Sequence, residues 1–513
     1  MEEKKIDINS IIGFILIFGI LVWIMYQNQP DPKVVAAEKA QKELVLKAQK
    51  AKELANKAVE KATVAVATGD STQLVALQKT LGNFAYSATL PSAKNDFTTI
   101  ENEVIKLKIA NKGGYIAEAT LKNFEKFKKG SGQLVELIKN NNANLNIVLQ
   151  TNDNRTLNTK DLFFEPTLTK IGADQVLSMK LKSGPNSFLE YKYIVKPNDY
   201  MIGFDVRSQG LNQVLNTAKP LDLEWDLKAF RNEKSISYEN KYTEIYFEHK
   251  EGKVDYAGLG AKEEETLEKP TFIAFKQHFF TSILVSKTPF EKAQLVSTNL
   301  MNDEKVDTTF TKSFKANLPL AFTNGELDYK LNWYLGPSDY KTLASYDQNL
   351  EKIITLGWGI IGWINRFIFV PLFGFLGSYI DYGIAIILFT ILIKLAMSPI
   401  TFKSFLSQAK MKVLRPEIAE LGEKFKKDPM KKQQETMKLY NKAGVNPMAG
   451  CIPALIQMPF LMASFQFFPS AFELRQQKFL WADDLSSFDE IVKLPFHIPL
   501  YGDHISLFPI LAA

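Results

Sequence analysis

The chain has 513 residues and a net charge of +6, which is too long for one hydrophobic core and implies two or three units. The single cysteine, Cys451, excludes an intramolecular disulfide. The lysines cluster beside apolar runs and do not interleave with stacking aromatics, which argues against nucleic-acid binding.

Ile11 to Tyr26, IIGFILIFGILVWIMY, follows a charged head and no small-x-small cleavage site comes after it. Residues 1–30 therefore read as a retained membrane anchor about 17–20 residues long with its flanks, near the lower limit for a span. Residues 31–70 are rich in Ala, Lys and Glu, and read as a solvated helical spacer, because a helix whose apolar positions are mostly Ala has little to bury.

Residues 71–345 read as one domain, in which the period changes to two from Phe97 to about Phe322. Val104 to Ile109 alternates, the turn Asn111 to Gly114 follows, and further strands are expected at Leu145–Leu149, Gln175–Lys182, Leu189–Val195, Met201–Val206, Ser235–Tyr238 and Phe272–Val285. Many short strands between Asn, Gly, Pro and Asp turns imply an antiparallel β-sandwich. Trp225, Tyr242 and Tyr246 are either core or a sugar site. His249 and His278 are too far apart in sequence for a metal motif, neither HExxH nor CxxC occurs, and no cofactor is expected.

Residues 346–378 hold an aromatic-rich run with Trp358, Trp363 and Arg366, which suits either a span or a helix lying in the interface. Residues 379–402 contain Tyr382 to Ile400, an apolar run long enough to cross a bilayer and interrupted by Lys394. A charge there costs at least about 2.5–3.5 kcal/mol at a helix centre. Lys394 either faces a water-containing cavity or snorkels toward the headgroups, roughly 12 Å away at about 1.5 Å per residue.

Residues 403–445 are strongly basic, which makes the loop cytoplasmic by the positive-inside rule. Met411, Leu414, Ile418, Leu421 and Phe425 follow a 3-4-3-4 spacing and Asp428-Pro429 breaks the chain, so a helical hairpin is expected. It is either a solvated hairpin or a docking arm. Residues 446–470 read as the next span, 471–503 as an acidic external loop, and 504–513 as the start of a further span. An anchor with its N-terminus inside then places the sandwich outside. A further span at Trp358 would put the basic loop on the wrong side, so that segment reads as interfacial.

Three blocks carry a resemblance. Asn446 to Pro459, NPMAGCIPALIQMP, resembles the third-span signature of the YidC-type membrane protein insertases of Gram-negative type, Phe472 to Arg475 with Phe479 to Ser486 resembles the loop after it, and Thr390 to Lys394 with Pro399 resembles the second-span element carrying a groove cation. In the outer domain, Ala274 to Phe280 and Tyr334 to Pro337 are similar to the same family. The resemblance implies an α+β membrane protein of the inner membrane, multi-pass, with a galactose mutarotase-like periplasmic sandwich and an α-helical insertase core. The implied function is insertion and folding of membrane proteins through a hydrophilic intramembrane groove, with no bond made and so no enzyme chemistry.

By the resemblance, Lys394 stands for the groove cation and Thr390 for its polar neighbour, while Gln457 and Gln466 either line the groove or bond between helices. The family more often has Arg at the cation, and Lys keeps the charge without the planar five-donor fork. Lys412, Arg415, Lys424, Lys426 and Lys427 are the expected docking cations of the hairpin. Implied partners are nascent membrane proteins, the ribosome, the signal recognition particle receptor, the Sec translocon and membrane lipids. The family continues past residue 513, so either a chain truncated within its fourth span or an incomplete sequence is expected, and residues 1–513 alone are not expected to build the whole groove. The alternative is a membrane-anchored periplasmic carbohydrate-binding or mutarotase-like protein, for which no paired acid and base can be picked out. A transporter would need a carboxylate in a span to pair with Lys394, and the apolar runs contain none.

Overall fold

The computed structural model describes residues 71–249, 252–426, 428–444, 452–498 and 502–508. The expected anchor and spacer lie outside the described residues. The chain divides into two compact units, Met1–Thr80 and Leu81–Ala513. At their boundary helix α1 (Ser71–Leu81) stops at Gly82, whose φ of +58° is the left-handed conformation that ends a helix.

The second unit begins with α2 (Ala85–Ala88) and an antiparallel meander of β1 (Phe97–Glu101), β2 (Ile105–Ala110), β3 (Ile116–Glu125) and β4 (Leu134–Ile138). Ile105, Leu107 and Ile109 point inward from β2 while Lys106 is exposed. At the turn that follows, Gly113 and Gly114 have φ of +94° and +67°, and a Cβ on Gly114 would lie 2.9 Å from the Phe164 ring.

The sandwich proper contains β5 (Ala143–Gln150), β6 (Thr156–Asn158), β7 (Glu165–Ile171), β8 (Asp174–Lys182), β9 (Phe188–Val195), β10 (Met201–Gln209) and β11 (Leu221–Phe230). After α3 (Ile236–Lys241) come β12 (Glu244–His249), β13 (Lys253–Ala257), β14 (Lys262–Glu268), β15 (Phe272–Lys276), β16 (Phe280–Ser286), β17 (Lys292–Asn299), β18 (Phe310–Leu320) and β19 (Asp328–Pro337). They form a nine-stranded sheet of order β13-β12-β15-β16-β19-β10-β9-β8-β7 and a six-stranded sheet of order β14-β17-β18-β11-β5-β6.

Two strand expectations fail for local reasons. Ser235–Tyr238 is not a strand: the Ser235 hydroxyl accepts the Tyr238 N–H at 3.2 Å and caps α3. Phe272–Val285 is two strands, because the chain reverses at Gln277–Phe279. Trp225 is core, 1% exposed, stacked on Phe275 at 3.8 Å between centroids and edge-on to Trp333 at 5.5 Å. These rings join β11 of one sheet to β15 and β19 of the other, which holds the two layers together.

Strands β15 and β16 are buried on both faces. Their second face is covered by the segment after β19, which forms α4 (Tyr340–Ala344), a tight turn at Leu350–Ile353, and α5 (Gly359–Ile364). One apolar core therefore runs from Phe272, Ala274 and Ile283 through Ile353 and Leu356 into the helical part of the chain.

A π-turn at Asn365–Phe369 joins α5 to α6 (Val370–Gly377). Next come α7 (Tyr382–Val413), α8 (Arg415–Lys424), α9 (Pro429–Lys442) and α10 (Ile452–Ser470). Among the described residues, Gly359–Gly377 and Tyr382–Val413 are long and apolar enough to cross a membrane. Helix α7 does not end at residue 402. It continues to Val413, about 48 Å in all, with Pro399 accommodated inside it, and ends just before Pro416, which has no N–H to donate to the preceding turn. Strands β20 (Val492–Ile498) and β21 (Gly502–Ile505) pair after α10, so His504 and Ile505 belong to a hairpin and not to a helix.

Phe275→Ala should cost about 3–5 kcal/mol by leaving a hole between Trp225 and Phe314. Chemical denaturation followed by tryptophan fluorescence measures the loss, and an unchanged midpoint would show that the layers do not depend on this ring.

Candidate functional site

Helix α7 has two faces. Ala385 and Phe389 are buried and Ile393 packs beside them, at the i, i+4, i+8 spacing of one helical stripe. Well round the helix, Thr390, Lys394, Ser398 and Thr401 form a second stripe spaced 4, 4 and 3. Thr390, Lys394 and Ser398 are exposed. Thr390 donates its hydroxyl to Ile386 O at 2.8 Å and Thr401 donates to Ser398 O at 2.9 Å, so both satisfy themselves within the helix. Lys394 has no acid within ion-pair distance among the described residues.

The buried face meets α6 and α10 in an aromatic knot. Phe369 lies edge-on to Phe389 at 4.7 Å, Phe373 to Phe467 at 5.4 Å, and Phe467 to Phe468 at 5.3 Å. Asn365, fully buried, donates its amide to Leu356 O at 2.8 Å and to Ala463 O at 3.0 Å, fixing the start of the π-turn to α10. The residues that α7 and α10 contribute lie in the sandwich-side halves of the two helices. Further along, Leu455, Gln457, Met458, Leu461 and Met462 of α10 are exposed, as are Leu392 and Leu395 of α7.

The other expected residues are placed as follows. Gln457 and Gln466 both lie on α10 and are exposed, and the Gln466 stem lies against Gly357, where a Cβ would be 3.6 Å from Gln466 Cγ. Trp358 is 81% exposed and Trp363 is exposed with its ring 5.8 Å from that of Phe367. Arg366 is exposed one residue into the π-turn. In the hairpin, Asp428 caps α9 by accepting the Lys431 N–H at 3.0 Å, which explains the break there. Leu414, Ile418, Leu421 and Phe425 are half-buried along the seam, while Lys412, Arg415, Lys424 and Lys426 are exposed. Lys426 reaches Glu423 at 3.7 Å, Lys424 lies 5.7 Å from the Phe425 centroid, and Lys427 is outside the described residues.

A second polar cluster, absent from the sequence expectations, joins the sandwich to the loop after α10. Arg475 Nε donates to Glu233 at 2.8 Å and Nη2 to Glu125 O at 2.7 Å, with the guanidinium 4.8 Å from the Phe280 centroid. Both partners of the ion pair are buried. Burial raises the Glu233 carboxyl above the ordinary range, and Arg475 opposes it. Burial also pushes Glu239 up to about 8, assisted by the Glu233 charge and opposed by the Asn232 and Glu233 N–H groups.

His278 bonds through Nε2 to Pro469 O of α10 at 2.8 Å, and its ring stacks on Phe279 and on Tyr242. A carbonyl only accepts, so Nε2 carries the proton. Burial pushes the pKa down to about 3, which leaves the ring neutral and Nδ1 an acceptor without a partner. Phe472 completes the junction against Phe124 and Phe279, at 5.3 and 5.9 Å.

The comparisons with known proteins cover both parts. Residues 98–371 match the YidC periplasmic domain and residues 373–513 match the 60Kd inner membrane protein family. A membrane protein insertase YidC of Parabacteroides distasonis is 35% identical over 98% of this chain and 81% of the relative. The chain belongs to the YidC family of membrane protein insertases. Insertases of Bacteroides fragilis and Porphyromonas gingivalis are 35% and 34% identical, each over 98% of this chain and over 80% and 82% of the relative.

Among solved structures, an active YidC insertase with its first transmembrane domain resolved is 16% identical, with a TM-score of 0.29 and 77% of each chain covered. The periplasmic domain of Thermotoga maritima YidC is 9% identical, with a TM-score of 0.28, 51% of this chain and 94% of that one covered. A galactose mutarotase-like protein from Lactobacillus casei gives 14%, 0.28, 47% and 99%.

The chain is thus an inner-membrane insertase with a periplasmic β-sandwich, acting on membrane proteins, and the carbohydrate-binding alternative gains no support. The junction joins two of the blocks that carried the resemblance, Ala274 to Phe280 and Phe472 to Arg475. The signal for it was in the sequence as two motifs, with nothing to say that they meet.

Arg475→Ala leaves Glu233 buried without its cation and should destabilise the insertase by about 3–5 kcal/mol, while Arg475→Ala combined with Glu233→Gln should recover part of the loss. Thermal unfolding in detergent measures both, and a double variant no more stable than the single one would show that the pair is not the source of the effect.

Proposed function

We propose that the Thr390–Lys394 face of α7, with Gln457 and Gln466 of α10, lines a hydrophilic path inside the membrane along which the polar segment of a substrate moves while its apolar helix passes into lipid. The observation that carries this reading is the division of α7 into a packed face and an exposed face that holds Lys394. A polar tail crossing a shorter apolar distance loses less hydration, which lowers the barrier without any bond being made.

In this reading the N-terminus is cytoplasmic, the sandwich is periplasmic, and the chain is multi-pass. The aromatic knot lies toward the periplasm and seals the bundle there, whereas the exposed stretches of α7 and α10 lie toward the cytoplasm. The segment with Trp358, Trp363 and Arg366 lies in the outer interface, where indole rings and one guanidinium favour the headgroup layer. The cations of α7 to α9, Lys412, Arg415, Lys424, Lys426 and Lys427, face the cytoplasm as a docking arm for the ribosome or the signal recognition particle receptor. The Sec translocon is a partner beside the groove, and membrane lipids surround it.

Lys394 attracts acidic substrate segments by charge. Lys394→Arg should retain insertion of a substrate with an acidic tail, and Lys394→Glu should reduce it roughly tenfold or more, since a like charge replaces an attractive one in a poorly hydrated site. Equal insertion by the two variants in reconstituted vesicles would sink the charge role.

Deleting Lys412 to Ala443 should weaken cosedimentation with stalled ribosomes or with the receptor while leaving the sandwich folded. Unchanged binding of both would refute the docking role.

A further inference from the structure

A cavity of about 840 Å³ lies at the junction between the sandwich and the helices. Its floor includes Phe468 and Pro469, the last turn of α10, and its far side includes His504, just before the apolar run that begins at Ile505. The end of α10 and the β20–β21 hairpin thus border one opening. Given the orientation proposed above, on which this inference rests, the cavity opens at the level of the outer headgroups.

The walls are cationic. Arg231, Lys234, Lys241, Lys305 and Lys493 line it against Glu233 and Glu304, and Glu233 is already paired with Arg475. Arg231 is spent on the carbonyl of Glu233, at 2.9 Å from Nε, and Lys234 on Phe488 O at 3.3 Å. Lys241, Lys305 and Lys493 are exposed and have no acid within ion-pair distance among the described residues. Three lysines without an ion-pair partner among the described residues, from α3, the β17–β18 loop and β20, therefore line one opening.

The remaining lining fits a ligand with hydroxyls and an apolar tail. Ser235, Ser237 and Tyr238 offer hydroxyls, and the His278 ring forms part of the wall beside them. Beyond Phe468, the exposed Phe465 and Leu461 of α10 continue an apolar track away from the opening.

We propose that this cavity binds the headgroup of an anionic phospholipid. Its phosphate sits among Lys241, Lys305 and Lys493, its headgroup hydroxyls meet the Ser235–Tyr238 edge and the His278 wall, and its acyl chains run along α10. A zwitterionic lipid brings its own cation toward these lysines and is disfavoured. The site would hold the sandwich, the end of α10 and the β20–β21 hairpin to one lipid.

The test uses the full chain reconstituted in vesicles of phosphatidylcholine with a minority of phosphatidylglycerol, and compares it with Lys241→Gln/Lys305→Gln/Lys493→Gln and with a surface control, Lys170→Gln/Lys287→Gln/Lys292→Gln. The ratio of the two lipids retained after mild extraction is read by native mass spectrometry. Enrichment of phosphatidylglycerol in the parent and the control, reduced roughly tenfold in the cavity variant, is expected from three neutralised lysines near one phosphate.

Equal enrichment in all three chains overturns the proposal. So does displacement of the bound lipid by an acidic peptide at lower concentration than by phosphatidylglycerol vesicles, which would make the cavity a peptide site. Retention of inorganic phosphate with no lipid enrichment also overturns it. Substrate insertion measured in the same vesicles separates the two readings: a parent chain that inserts without enriching phosphatidylglycerol loses the lipid site and keeps the insertase role.

Discussion

The structure depends on one buried ion pair, Arg475 with Glu233, at the place where a soluble sandwich has to be held against helices that belong in a bilayer. Removing both charges from water is costly, and the pair is tolerable only because the guanidinium also bonds Glu125 O and lies over the Phe280 ring. Such a contact tolerates little displacement. It fixes the loop after α10 to β3 and to the β11–α3 connection, while His278 fixes the last turn of α10 itself. The apolar core that continues from β15 and β16 through Ile353 and Leu356 to Phe389 and Phe467 does the same without directional bonds. Ionic and apolar contacts thus define one junction between sandwich and bundle.

That junction explains the asymmetry of the helices. Close to it, small and aromatic residues interlock: Ala385 and Ala463 are fully buried, and Phe369, Phe373, Phe389 and Phe467 fill the space between the backbones. A turn or so further from the sandwich the same helices turn exposed side chains outward, and there Lys394 and Gln457 are found. The path proposed above uses this division: closed where the helices interlock, it need only admit a polar tail part-way before lipid takes the apolar helix.

Much of this was legible in the residues. Alternation marked β5, β8, β9 and β10, because each buries one face on the other sheet and period two follows from that. It failed at Ser235–Tyr238, where a hydroxyl cap outweighs β-propensity, and it merged β15 with β16, which are buried on both faces and so show no alternation at the reversal. Asp428-Pro429 announced the hairpin break, since a capping carboxylate followed by a residue without an N–H begins a helix better than it continues one. The length of α7 was missed because a change from apolar to basic residues marks a change of solvent and not the end of a helix. The Arg475–Glu233 pair spans 242 residues, a separation at which no periodicity or spacing carries information.

Asn365 connects the sandwich to the helices. Its amide bridges Leu356 O, at the edge of the sandwich core, and Ala463 O, in the middle of α10, and does so at the start of the π-turn where α5 gives way to α6. A π-turn widens the helix by one residue and weakens its own ladder, so it persists where another contact repays the loss. Here that contact is the amide. Around it Trp358 and Trp363 face outward while Phe369 and Phe373 face the knot. Displacement of the sandwich would therefore reach α10 by two routes, through His278 at its last turn and through Asn365 near its middle, and the exposed face that carries Gln457 follows α10.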